Sequence, residues 1–133
     1  MELAPLTIER LIEAARRAQQ KAYAPYSQFP VGAAVLAEDG RIFMGCNVEN
    51  SSFGLTVCAE RNAVAAAIVA GARPSAVAVV ASAAPVAPCG ACRQVLAEFS
   101  AQMPVILATS VGDGKQVTGL DALLPDAFHF TRV

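Results

Sequence analysis

The chain has 133 residues, enough for one compact domain spanning 1–133 and too few for two ordinary ones. Its net charge is −1 and it has no run of Lys or Arg, which argues against a polynucleotide or an anionic membrane as partner, since both need clustered positive charge. Hydrophobic residues make up 55% and charged residues only 16%. A chain this small cannot bury so much apolar surface alone, so a homo-oligomer is expected.

In chain order, the opening "MELAPLTIERLIEAARR" sets Glu2, Glu9 and Glu13 among apolar residues and has no basic leader. It therefore reads as a cytoplasmic protein's N-terminus and not a targeting segment. Leu6, Ile8, Leu11, Ile12, Ala15, Ala18 and Ala22 follow helical spacing, with Thr7 as the expected N-cap. Pro25 and Pro30 end that helix. Residues 31–37 and 41–48 are two strand-like runs joined by a hairpin turn at Asp39-Gly40. Residues 58–70 form an Ala-rich helix closed by Gly71. Residues 76–82 read as a buried strand, 89–100 as a helix, 104–109 as a strand and 115–118 as a short edge strand, followed by "GLDALLPDAFHF". The longest uncharged run, between Arg73 and Arg93, is interrupted by Pro74, Pro85 and Pro88, so it does not read as a membrane span. Strands alternating with helices after an initial hairpin imply an α/β layered domain with a mixed sheet.

The chemistry lies in the cysteines. "APCGACRQVL" places Cys89 and Cys92 in a Cys-x-x-Cys pair at a helix start. Such a pair can be a redox couple, half of a structural zinc site, or part of a catalytic metal site. A redox pair normally follows the first strand of its fold and needs no third cysteine. Here Cys58, in "VCAERNAV", opens a second helix. Helix N-termini carry partial positive charge, which favours the thiolates that zinc requires. If the two helix tips converge, Cys58, Cys89 and Cys92 supply three sulfur ligands. Cys46 and His129 are the candidates for a fourth. Cys46 alternates with Ile42, Met44 and Val48 as a core-facing residue would, and His129 lies between Phe128 and Phe130. The preferred reading is an open site with water in the fourth place, the mark of catalytic zinc.

Glu60 then becomes the candidate proton carrier. It sits two residues after Cys58, at a helix tip aimed into the site, where a carboxylate can take a proton from water and pass it to a leaving group. Zinc with three thiolates is negatively charged and a poorer Lewis acid than zinc on imidazoles. Arg61, on nearly the same helical face as Cys58, can donate to sulfur and offset that charge. Arg93, directly after Cys92, is left open between a surface role and a site role.

"CAE" at 58–60 followed by "PCGAC" at 88–92 is the signature of zinc-dependent nucleobase deaminases. "YSQFPVGAAV", "GCNVENSSFG", "CAERNAV", "PCGACRQVL" and the later "LLPDAF" each resemble blocks of the short, homotetrameric cytidine deaminases. The resemblance implies a three-layer α-β-α fold with a five-stranded mixed sheet, Zn2+ on Cys58, Cys89 and Cys92, and Glu60 as proton shuttle. It implies hydrolytic deamination of cytidine and deoxycytidine to uridine and deoxyuridine with loss of ammonia, in pyrimidine salvage. It further implies that Asn47 and Glu49 hold the ribose, that Phe29 faces the pyrimidine, and that the Ala59 amide contacts the base carbonyl. Positions two apart on a strand project from one face, which independently lets Asn47 and Glu49 act together. By the same resemblance, Phe53 and the aromatic end around Phe128 complete a neighbouring subunit's pocket, although Phe53 departs from the usual tyrosine. Two other readings stand beside this one: a zinc deaminase of a related nucleoside or nucleoside antibiotic, and a structural-zinc interaction module without chemistry.

Overall fold

The computed structural model describes residues 2–130. In chain order it contains α1 (Pro5–Gln19), β1 (Gly32–Ala37), β2 (Ile42–Cys46), a 3-10 turn (Phe53–Leu55), α2 (Ala59–Val69), β3 (Pro74–Val80), α3 (Gly90–Ala97), β4 (Pro104–Ala108), β5 (Lys115–Gly119) and α4 (Leu120–Leu123). The strands form one sheet in the order β2-β1-β3-β4-β5. β1 pairs antiparallel with both β2 and β3, β3 runs parallel to β4, and β5 returns antiparallel. A parallel pair needs a crossover, and α3 supplies it between β3 and β4.

Side chains alternate across the sheet and make two cores. Ala34, Ala78, Val80 and Ile106 face α1 and meet Leu11, Ile12, Ala14 and Ala15. Ala33, Val35, Val77, Val79 and Val105 face the opposite way and meet Ala63, Val64 and Ala67 of α2 and Leu96 of α3. Each fully buried Leu or Val contributes about 2 kcal/mol to folding. The expected α-β-α layering around a mixed sheet is therefore borne out.

Two glycines bring the helices close to the sheet. A Cβ on Gly32 would lie 1.9 Å from the Ala15 carbonyl oxygen, and one on Gly45 would lie 2.3 Å from the Ala63 amide nitrogen. Only glycine permits that approach, and the contact at Gly45 holds α2 against β2. The β1–β2 turn places Gly40 at φ +91°, and Gly71 closes α2 at φ +77°, both conformations that glycine adopts without strain.

Two expectations need correcting. Thr7 is not the N-cap of α1: the helix starts at Pro5 with Ala4 extended before it. Proline's fixed φ suits the first helical position, where its missing N–H has no partner to lose. The face of β2 expected to be buried is also only partly covered. Met44 and Val48 are about half exposed, and Ile42 and Cys46 half-buried, because β2 is an edge strand whose inner face presents Phe43 and Gly45 to α2. No helix among the described residues is long and apolar enough to cross a membrane.

Candidate metal centre and substrate cleft

Cys58 and Cys89 are the N-cap residues of α2 and α3, each extended and each with its side chain free of a capping bond. Cys92 lies one turn into α3 and is fully buried. Because both helices pack on the same sheet face, their tips converge. The Sγ atoms of Cys58, Cys89 and Cys92 all lie within 4.8 Å of one another, with Cys58 and Cys89 at 3.8 Å. Tetrahedral zinc, with sulfur at about 2.3 Å, separates its thiolates by about 3.8 Å. The Arg61 guanidinium approaches from the side and donates from Nη2 to Cys58 Sγ at 3.2 Å. Its Nε is buried with no hydrogen-bond partner among the described residues, a cost to folding that thiolates ligating zinc would offset. The donor set fits zinc. Cys46 and His129 are both outside the cluster, the first half-buried in β2 and the second exposed.

The electrostatics follow from burial. Glu60 is only 5% exposed, and desolvation raises its carboxyl pKa above the ordinary value despite the opposing pull of a backbone bond and Arg61. Burial, then the charge of Glu60, pushes the Cys92 thiol far up. Burial also acts on Cys89, but hydrogen bonds from Cys92 and Cys58 outweigh it and leave that thiol below the usual range. Donation to Cys58, against some desolvation, raises the Arg61 guanidinium further, so it stays charged.

Cys58 and Cys89 open onto a cleft of about 250 Å³ that Glu60, Ala59, Phe29, Asn47 and Glu49 also line. Five sequence-proposed residues thus meet the metal centre in one place. Ala59 is the first residue of α2, so its amide points out of the helix end without an intrahelical partner. Asn47 does more than line the wall. Its Oδ1 accepts from the Val31 amide at 2.9 Å, and its Nδ2 donates to the Phe29 carbonyl at 3.0 Å, which fixes the segment carrying Phe29. Glu49 Oε1 accepts from the Tyr26 and Ser27 amides at 2.9 and 3.1 Å, and Oε2 accepts from the Ser27 hydroxyl. The Ser27 bond, against some desolvation, holds the Glu49 carboxyl below its usual range. Ser27 was not singled out from the sequence. Its Oγ also accepts from the Phe29 amide at 3.0 Å, and the only signal was a serine two residues ahead of an aromatic in a proline-bounded turn.

The remaining proposed residues lie elsewhere. Phe53 is 74% exposed and lines an adjoining recess with Tyr26, whose ring meets it edge-on at 5.8 Å. Phe128 is 71% exposed and is not part of its own chain's cleft wall. Arg93 does not reach the sulfurs: its Nε donates to Pro88 O and its Nη1 to Leu123 O, both at 2.7 Å.

Three cysteine sulfurs at two helix tips, a buried carboxyl beside them and a polar-edged cleft in front fit a zinc hydrolase built on an α/β sheet. The chain belongs to the cytidine and deoxycytidylate deaminase zinc-binding family, whose model matches residues 6–108. It is 52% identical over 126 residues to a cytidine deaminase of Sporosarcina psychrophila, covering 92% of each chain. The crystal structure of a cytidine deaminase from Burkholderia pseudomallei is 54% identical, with a TM-score of 0.84 over 90% of this chain and 98% of that one. A cytidine deaminase structure from Mycobacterium tuberculosis, 42% identical, superposes with a TM-score of 0.77 over 92% and 97%.

Proposed function

We infer that the protein is a single-domain, zinc-dependent hydrolase that converts cytidine and deoxycytidine to uridine and deoxyuridine with release of ammonia, a step of pyrimidine salvage in the cytoplasm. One observation carries the reading: three sulfurs lie within 4.8 Å of one another, and two of them, those of Cys58 and Cys89, open onto a cleft that a buried glutamate, an aromatic and a pair of polar side chains also line. Zinc held by Cys58, Cys89 and Cys92 would supply a Lewis acid that makes water nucleophilic at neutral pH. Glu60 would take a proton from the attacking water as its oxygen bonds the amine-bearing carbon, and return it to the amine as the C–N bond breaks and ammonia leaves; its burial favours the protonated half of that cycle. The Ala59 amide at the helix tip holds the base carbonyl. Phe29 covers the pyrimidine face, its position set by Asn47 and Ser27. Three of the roughly four acceptor sites of Glu49 are already used, leaving one for a ribose hydroxyl, while Asn47 Nδ2 keeps a second hydrogen for the same sugar.

The assembly belongs to the same proposal. A cleft of 250 Å³ is smaller than the roughly 300 Å³ at which ligand pockets usually begin. Phe53, Leu55, Val69, Phe128 and Phe130 are each at least two-thirds exposed, apolar side chains that a second copy of the chain would cover. A homotetramer in which Phe53 and Phe128 close a neighbour's cleft accounts for both; sedimentation as a monomer at micromolar concentration contradicts it. The activity itself is tested by the ultraviolet change on adding cytidine, with ammonia measured in parallel. Conversion is expected in the zinc-loaded protein and lost on chelation, and no conversion by zinc-replete protein contradicts the assignment.

A further inference from the structure

The residue that follows the last cysteine holds more of the site than its sequence position suggests. The backbone amide of Arg93 donates to Cys89 O at 2.9 Å, and its Nε donates to Pro88 O at 2.7 Å. Those two carbonyls belong to the peptide planes on either side of the Cys89 Cα. Rotation of the first plane is the φ of Cys89 and rotation of the second is its ψ. The bond to the second is the helical one that any residue here makes, so what the Arg93 side chain adds is a hold on the first, and with it on the direction in which the Cys89 Cβ leaves the chain. A guanidinium is a rigid fork with five N–H donors. Here the same fork reaches the other way, from Nη1 to Leu123 O at 2.7 Å. Its neighbour Gln94 donates from Nε2 to Phe128 O at 3.0 Å. Between those anchors Leu123, Leu124 and Ala127 pack on the core and Asp126 turns with φ +53°, after which Phe128 stands exposed.

We propose that Arg93 is a positioning residue coupling the cysteine metal site to the C-terminal arm, residues 123–130. The proposal rests on the zinc reading of the cysteine trio and goes beyond it. If the Pro88 carbonyl and the Leu123 carbonyl share one rigid donor, metal that fixes Cys89 also steadies the arm, and an arm in place steadies Cys89; such coupling is reciprocal.

The test uses zinc-loaded protein, whose metal content is measured first. Zinc release to a chromophoric chelator and amide exchange are then followed in the parent, Arg93→Met and Arg93→Lys. Arg93→Met is expected to release zinc about tenfold faster, the scale on which residues supporting a ligand act. Its amide exchange should rise over 123–130 and at the Cys89 turn, while β1 and β3 stay as in the parent. Arg93→Lys, with one compact donor head, should fall between. Stripping zinc from the parent should raise exchange over the same arm. Zinc release from Arg93→Met at the parent rate overturns the proposal, as does an arm whose exchange ignores zinc removal. Exchange rising equally in β1 and β3 overturns it too, by assigning Arg93 to general stability. If Arg93→Met fails to fold, the parent's loaded and stripped states with Arg93→Lys decide alone. A parent that binds no zinc fails at the first measurement and takes the metal reading down with it.

Discussion

Glu60→Gln is expected to retain zinc and to lose turnover of cytidine by about 10²- to 10⁴-fold, the usual worth of a positioned proton carrier. Glutamine keeps the shape of the side chain, which matters because Glu60 is packed to 5% exposure at the tip of α2. What it removes is the ability to accept and return a proton. Since Glu60 is not one of the three converging sulfur ligands, metal content should stay at the parent value. A structural-zinc module gives the opposite expectation, with no functional consequence at all. Zinc-replete Glu60→Gln turning over cytidine at the parent rate would remove Glu60 from the mechanism.

Cys92→Ala is expected to act on stability as well as activity. Cys92 is fully buried on the inner side of the trio, and two sulfurs make a poor zinc site. Bound metal stabilises the folded chain by about 4 kcal/mol when free zinc exceeds its dissociation constant a thousandfold, so losing it should lower the melting temperature by about 10 °C or more. Zinc content and deamination should both fall to background. Cys46→Ala is the matched control: Cys46 lies outside the cluster, so its loss should leave metal and turnover unchanged. Zinc loss from Cys46→Ala would mean a fourth sulfur ligand. The Cys92 thiol, pushed up by burial in the metal-free chain, must give up its proton to bind zinc. Zinc affinity therefore rises with pH and weakens as pH falls.

Motif chemistry was the most legible part of the sequence, because it depends on short spacings. Cys58 and Glu60 at one helix start, with Cys89 and Cys92 at another, needed only that two helices pack side by side on one sheet face, and they do. Strand identity was readable for the same reason: the apolar run expected to form a strand at 76–82 supplies most of β3, which spans Pro74–Val80, two residues earlier, in the sheet centre where both faces are covered. What escaped depends on contacts between distant segments. Nothing in "VGAAV" or "FMGCN" says that α1 and α2 press their backbones onto Gly32 and Gly45. Burial of β2 was misjudged because alternation alone does not reveal an edge strand. The role of Ser27 depends on Glu49, 22 residues away, and that of Arg93 on Leu123, 30 residues away. Asn47 lines the cleft, and its hold on both sides of Pro30 is invisible to spacing.

The account turns on a metal held by three sulfurs with one place left for solvent. X-ray absorption at the zinc edge of the purified protein reads that sphere directly. Three sulfur scatterers at about 2.3 Å and one oxygen at about 2.0 Å are expected. Four sulfurs, a histidine in the fourth position, or no bound zinc would contradict it.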